Sequence, residues 1–170
     1  MRNRKWTGLV TLLLLSTLLA FSFSLHAEPK LTPAQQPNIT VSGYFTGSRV
    51  QRGQTIRAAV AIDIPSGYHI NSNRPLAKFL IPTSLKIEAP TGARIGVVSF
   101  PRAQLRNFSF SQEKLSVYEG HVVLRFNVTV PANFSGNELN LHAHLRYQSC
   151  NDEACFPPTT REFDMSIAVG

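Results

Sequence analysis

Beyond its first 25 residues the sequence has no apolar run long enough to cross a membrane. It has no long stretch of helical periodicity, no internal repeat and no low-complexity segment. A helical bundle and a repeat array are therefore excluded. Lys and Arg outnumber Asp and Glu by 17 to 10, yet they form no cluster or stripe, so a nucleic-acid partner is not expected. No Ser-His-Asp order and no Gly-rich phosphate loop stands out. Neither a small-molecule substrate nor a metal or organic cofactor is implied. With only two cysteines, Cys150 and Cys155, the chain cannot be a disulfide-framework protein. One close pair suggests a single bridge with a particular task.

The N-terminus reads as an address. Arg2, Arg4 and Lys5 precede a leucine-rich, uncharged run from Gly8 to about Leu25, which ends at Leu25-His26-Ala27. That is the layout of a secretory signal peptide over residues 1–27, cut after Ala27, and it marks the protein for export. Retention as an N-terminal anchor is the competing reading, since about 18 apolar residues can just span a bilayer. Cleavage removes three positive charges and lowers the net charge from +7 to +4. Residues 28–37 carry Pro29, Pro33 and Pro37 and read as a flexible lead-in. Residues 38–170 then form one domain, large enough for a core without disulfide support.

That domain alternates apolar and polar residues in short runs: Ile39–Val41, Ile56–Ile64, Leu85–Ile87, Val122–Val130, Leu139–Tyr147 and Phe163–Val169. Period-two alternation marks strands buried on one face. Proline and glycine punctuate the runs, as at Pro65-Ser66-Gly67, Pro90-Thr91-Gly92 and Pro157-Pro158. The pattern predicts an all-β protein, an immunoglobulin-like β-sandwich.

In the run from Leu139, residues Leu141, Ala143, Leu145 and Tyr147 share the predicted core face. His142, His144, Arg146, Gln148 and Cys150 share the other, which places Cys150 at the solvent edge of the strand. Cys155 follows, so the pair flanks the turn of a hairpin. A bridge across so short a loop stabilises by only about 2 kcal/mol in the loop-closure account. A redox role and a local staple both fit the spacing. His142 and His144 with Cys150 could suggest copper or zinc. Cys150 lies too far along the strand to share an ion with His142, so these histidines read as a solvated face. Four Asn-x-Ser/Thr stretches, at Asn38, Asn107, Asn127 and Asn133, match the N-glycosylation pattern.

The segment Tyr147-Gln148-Ser149-Cys150-Asn151-Asp152-Glu153-Ala154-Cys155-Phe156-Pro157-Pro158 resembles the active-site hairpin of the N-terminal periplasmic domain of the DsbD thiol:disulfide interchange family. Gly67–Asn73 is similar to the family's aromatic strand beside the cysteines, and Phe100–Gly120 to the segment with its cap loop. The resemblance implies an immunoglobulin-like fold and thiol–disulfide exchange. The implied partners are thioredoxin-like redox proteins and a membrane electron donor of DsbD type, with the domain itself a monomer. It implies that Cys155 forms the mixed disulfide with partners, that Cys150 resolves it, and that Phe108 or Phe110 caps the pair. Tyr68, His69, Tyr147 and Phe156 would line the site.

The departures are specific. Four residues separate the cysteines where the family's known members have five. Arg106-Asn107 stands where they have an acidic pair, and Asn71 where they have a tyrosine. Asp152 and Glu153 would either oppose thiolate formation or serve only as solvated loop acids. The chain shows no multi-span domain and no Cys-x-x-Cys module, so donor and acceptor are expected to be separate proteins. A non-catalytic interaction domain with a structural hairpin bridge is the alternative.

Overall fold

The structure is a computed structural model that describes residues 36–170. The expected leader, and the lead-in up to residue 35, lie outside the described residues. Gln36 is tied to the segment after the cysteine hairpin. It donates to the Pro157 carbonyl at 3.2 Å and accepts from Thr159 Oγ1 at 2.7 Å.

The described residues form strands and no helix. In chain order the strands are β1 (Thr40–Phe45), β2 (Arg49–Val50), β3 (Thr55–Asp63), β4 (His69–Asn71), β5 (Ser84–Glu88) and β6 (Arg94–Ile95). They continue with β7 (Gln104–Arg106), β8 (Leu115–Tyr118), β9 (His121–Thr129), β10 (Glu138–Tyr147), β11 (Ser149–Cys150) and β12 (Thr159–Val169). One sheet has the order β1-β3-β9-β6 and a second β2-β12-β10-β5.

Alternation explains how these two sheets meet. Val122, Leu124, Phe126 and Val128 of β9 are buried, as are Leu139, Leu141, Leu145 and Tyr147 of β10 and Met165 and Ile167 of β12. With Val60 and Ile62 of β3 they make one apolar cluster drawn from both sheets. This is the predicted two-sheet sandwich, its core face on β10 as the sequence pattern indicates. Burial of these β-branched and leucine side chains supplies the main driving force, roughly 1.5–3 kcal/mol for each fully buried one. At Gly43 of β1 the side chains of β12 press against the backbone. A Cβ there would lie 2.5 Å from Met165 Cγ and 2.9 Å from Phe163 Cε2.

A third sheet, β11-β4-β8-β7, extends one end of the sandwich. Asp63 at the end of β3 faces His121 at the start of β9. The chain leaves β3 there to form β4 and arrives at β9 from β8. It leaves β10 at Tyr147, whose partner in β12 is Thr159, and β11 pairs with β4 instead. The turn Pro65–Tyr68 aims β4. The Tyr68 amide donates to the Pro65 carbonyl at 3.1 Å, and Gly67 takes a φ of 80°, a value that favours glycine.

Candidate redox site

Cys150 and Cys155 are joined by a disulfide across a hairpin. The Asn151 amide donates to the Ala154 carbonyl at 2.9 Å, and the Phe156 amide to the Ser149 carbonyl at 2.8 Å. The cysteines therefore form the non-hydrogen-bonded pair between two bonded ones, where antiparallel chains come closest. Their Cα atoms are 3.9 Å apart. Asn151 builds the turn. Its Oδ1 accepts from the amides of Glu153 and Ala154 at 3.0 and 2.8 Å.

The two sulfurs have unequal surroundings. Cys150 lies between two strands, bridged to Cys155 on one side and paired with His69 of β4 on the other. It is fully buried, whereas Cys155, on the outer side of β11, is half-buried. The expectation that Cys150 sits at a solvent edge is corrected here. Strict alternation carried through from β10 would leave it facing out. At Gln148, however, the chain changes sheet, and both Ser149 and Cys150 are buried.

Gln148 and Asn71 hold this changeover. The Gln148 Oε1 accepts from Asn71 Nδ2 at 3.0 Å and from the Ile81 amide at 3.1 Å, while its Nε2 donates to the Phe156 carbonyl at 3.2 Å. Asn71 Nδ2 also donates to the Ile81 carbonyl at 3.1 Å. Both are positioning residues that sequence reasoning did not single out. The only signal was the Tyr-Gln preceding the first cysteine and the Asn in a tyrosine's place.

His69 lies next to the buried cysteine. It is 1% exposed, and its Nε2 has no hydrogen-bond partner among the described residues. Burial lowers its pKa from 6.5 to about 4, against the opposing pull of the Glu119 and Asp152 carboxylates. The imidazole is neutral at pH 7. Its face carries the Phe108 ring, stacked at 4.0 Å between centroids, and Phe110 stacks on Phe108 at 5.6 Å. The loop bearing both phenylalanines is pinned to the cysteine turn by a hydrogen bond from Ser109 Oγ to the Asp152 carbonyl. Arg106 forms a two-point ion pair with Glu119 beside it, at 3.0 and 2.9 Å.

These contacts bring Cys150, Cys155, His69, Phe108 and Phe110 into one region. Phe108 is the inner, half-buried ring, and Phe110 the outer one at 37% exposure. Phe156 is buried under the hairpin and packs against Tyr68 at 6.1 Å. Tyr147 belongs to the sandwich core.

Residues 36–167 match the family described as "Thiol:disulfide interchange protein DsbD, N-terminal". The chain belongs to that family. The two packed sheets described above are the family's immunoglobulin-like β-sandwich. Among solved structures, the chain is similar to the N-terminal domain of Neisseria meningitidis DsbD in its reduced form. The identity is 21% and the TM-score 0.46, over 75% of this chain and 85% of that one. It is also similar to the N-terminal periplasmic domain of ScsB from Proteus mirabilis. There the identity is 9% and the TM-score 0.49, over 81% of this chain and 48% of that one. No curated protein matches the sequence. As a member of the DsbD N-terminal family, the chain is a thiol–disulfide interchange domain of the kind that meets thioredoxin-like redox partners.

Proposed function

We propose that this domain relays reducing equivalents in the periplasm from a thioredoxin-like donor, fed by a membrane electron source of DsbD type, to disulfides of exported proteins. The observation that carries this reading is the asymmetry of the pair: a half-buried Cys155 bonded to a fully buried Cys150, beside the loop that carries Phe108. The signal-peptide layout of residues 1–27 agrees with the location.

The exchange balances as two displacements in each direction. A donor thiolate attacks Cys155 Sγ, the S–S bond breaks, and Cys150 leaves and takes up a proton. The donor's second thiolate then attacks the mixed disulfide at its own sulfur. Cys155 is released, the donor is oxidised and this domain is a dithiol. In the second half Cys155 attacks an acceptor disulfide, and Cys150, beside it, displaces the reduced acceptor. Two electrons and two protons pass through, and the Cys150–Cys155 bond is restored.

The test is the reduction potential of the pair in the purified protein, equilibrated against glutathione. An exchange pair is expected at roughly −180 to −270 mV and is reduced by a thioredoxin-like protein. A value below about −300 mV, with no reduction by such a protein, would establish the bridge as a staple.

Phe108 is the proposed shield in this reading, because its ring covers His69 beside Cys150. An aromatic stack contributes about 0.5–1.5 kcal/mol, so Phe108→Ala should speed modification of the reduced pair by a small thiol reagent roughly two- to tenfold. Phe110→Ala removes only the outer ring and should change the rate less. Equal rates in wild type and both variants would remove the shield from the mechanism.

A further inference from the structure

We propose that His142, His144 and Glu162 form a binding site for one late divalent transition-metal ion, zinc or copper(II), on the outer face of the sandwich. The inference does not rest on the exchange reading, since the site lies on a different sheet from the cysteines. His142 and His144 alternate on β10, so both imidazoles leave the same face, opposite the core residues Leu141, Ala143 and Leu145. The ladder with β12 sets Asp164 opposite His142 and Glu162 opposite His144, and the ladder with β5 sets Glu88 opposite His142. Cys150, the third ligand suggested by sequence, is not needed, because neighbouring strands supply carboxylates.

Glu162 lies between the two rings. Its Oε1 is 3.2 Å from His144 Nδ1 and its Oε2 is 3.9 Å from His142 Nε2. One donor atom from each of the three residues lies within 4.8 Å of the others. Two ligands bound at about 2.0–2.1 Å to a tetrahedral ion sit roughly 3.3–3.5 Å apart, so small side-chain rotations close this set around a metal. The rings are already set edge to face, with centroids 4.6 Å apart.

The far nitrogens complete the argument. Asp164 Oδ1 lies 2.6 Å from His142 Nδ1, and Glu88 Oε1 lies 3.5 Å from His144 Nε2. His142 thus has a carboxylate hydrogen-bonded behind it and Glu162 in front, whereas Glu88 stands behind His144 at ion-pair distance without a hydrogen bond to Nε2. A carboxylate behind a ligating histidine fixes the tautomer and raises the basicity of the coordinating nitrogen. Asp164 accepting from Nδ1–H leaves the lone pair of His142 on Nε2, toward Glu162. Lys86 Nζ, 2.7 Å from Glu88 Oε1, holds that outer carboxylate and supplies no lone pair while charged. Two imidazoles and one carboxylate suit zinc with a fourth, solvent position. The same donors bind copper(II) more tightly by the general order of divalent affinities.

The experiment is calorimetric titration of the full chain, disulfide intact so that no thiol competes, first with zinc chloride and then with copper(II). Copper(II) should also give an electron paramagnetic resonance spectrum with coupling to two imidazole nitrogens. One equivalent should bind. His142→Ala and His144→Ala should each weaken binding at least tenfold. Asp164→Asn should weaken it about 10–100-fold through the orientation of His142. His121→Ala alters another exposed His–Asp pair, 2.6 Å apart, and should change nothing. Absence of saturable binding of either metal overturns the proposal, as does undiminished binding by the folded His142→Ala/His144→Ala double variant.

Discussion

A Cys155→Ser variant is expected to exchange no disulfides, while Cys150→Ser is expected to accumulate a stable mixed disulfide with the acceptor protein. The two outcomes follow from position. Cys155 is half-buried on the outer side of the hairpin. Left as the single thiol, it can still attack an acceptor disulfide, but no second thiol is present to release the product. Cys150 as the single thiol is fully buried between β4 and the outer arm of the hairpin. A reagent reaches it only after local opening, and an opening of about 3 kcal/mol slows the reaction roughly 100-fold. Non-reducing electrophoresis after incubation with an oxidised acceptor separates the variants. A mixed disulfide trapped by Cys155→Ser and not by Cys150→Ser would reverse the two roles. Equal modification of both single thiols would remove the asymmetry on which the proposed order of attack stands.

That asymmetry shows where the sequence was legible and where it was not. The alternation in β9 and β10 marks the sandwich core correctly, because both strands stay in one sheet and bury one face throughout. Val122, Leu124, Phe126 and Val128 on β9 and Leu139 to Tyr147 on β10 follow the period without exception. The period fails at Gln148, where partners change from β12 to β4. No local pattern announces a change of sheet, since it depends on side-chain bonds to Asn71 and Ile81, distant in sequence. β7 and β11 are too short to show a period. The site was legible mainly through the cysteine motif and the resemblance it carries. His69 was visible only as one aromatic among several, because its meaning comes from a cross-strand neighbour. His142 and His144, weighed as ligands, read as a solvated face, because the third ligand their own strand offers, Cys150, lies too far away. A single strand displays its own ligands, and only the register adds Glu162 from the next strand.

The buried imidazole should make the domain sensitive to mild acid. His69 has a folded-state pKa of about 4 against 6.5 for the unexposed-to-burial reference, with burial the leading cause. Below pH 6.5 the unfolded chain binds a proton that the folded chain refuses, so stability rises with pH in this window. The contribution is fully present above pH 6.5 and is lost as pH falls toward 4, reaching about 2–3 kcal/mol by pH 4.5. His142 works in the opposite sense. The hydrogen bond it donates to Asp164 raises its pKa, so its pairing favours the folded state below 6.5, but both groups are exposed and solvent screens them. His69→Phe keeps a ring under Phe108 and removes the titrating group. Urea unfolding at pH 7.5 and 4.5 should show wild type losing about 2–3 kcal/mol more than this variant. Parallel losses would mean that the imidazole is already open to water.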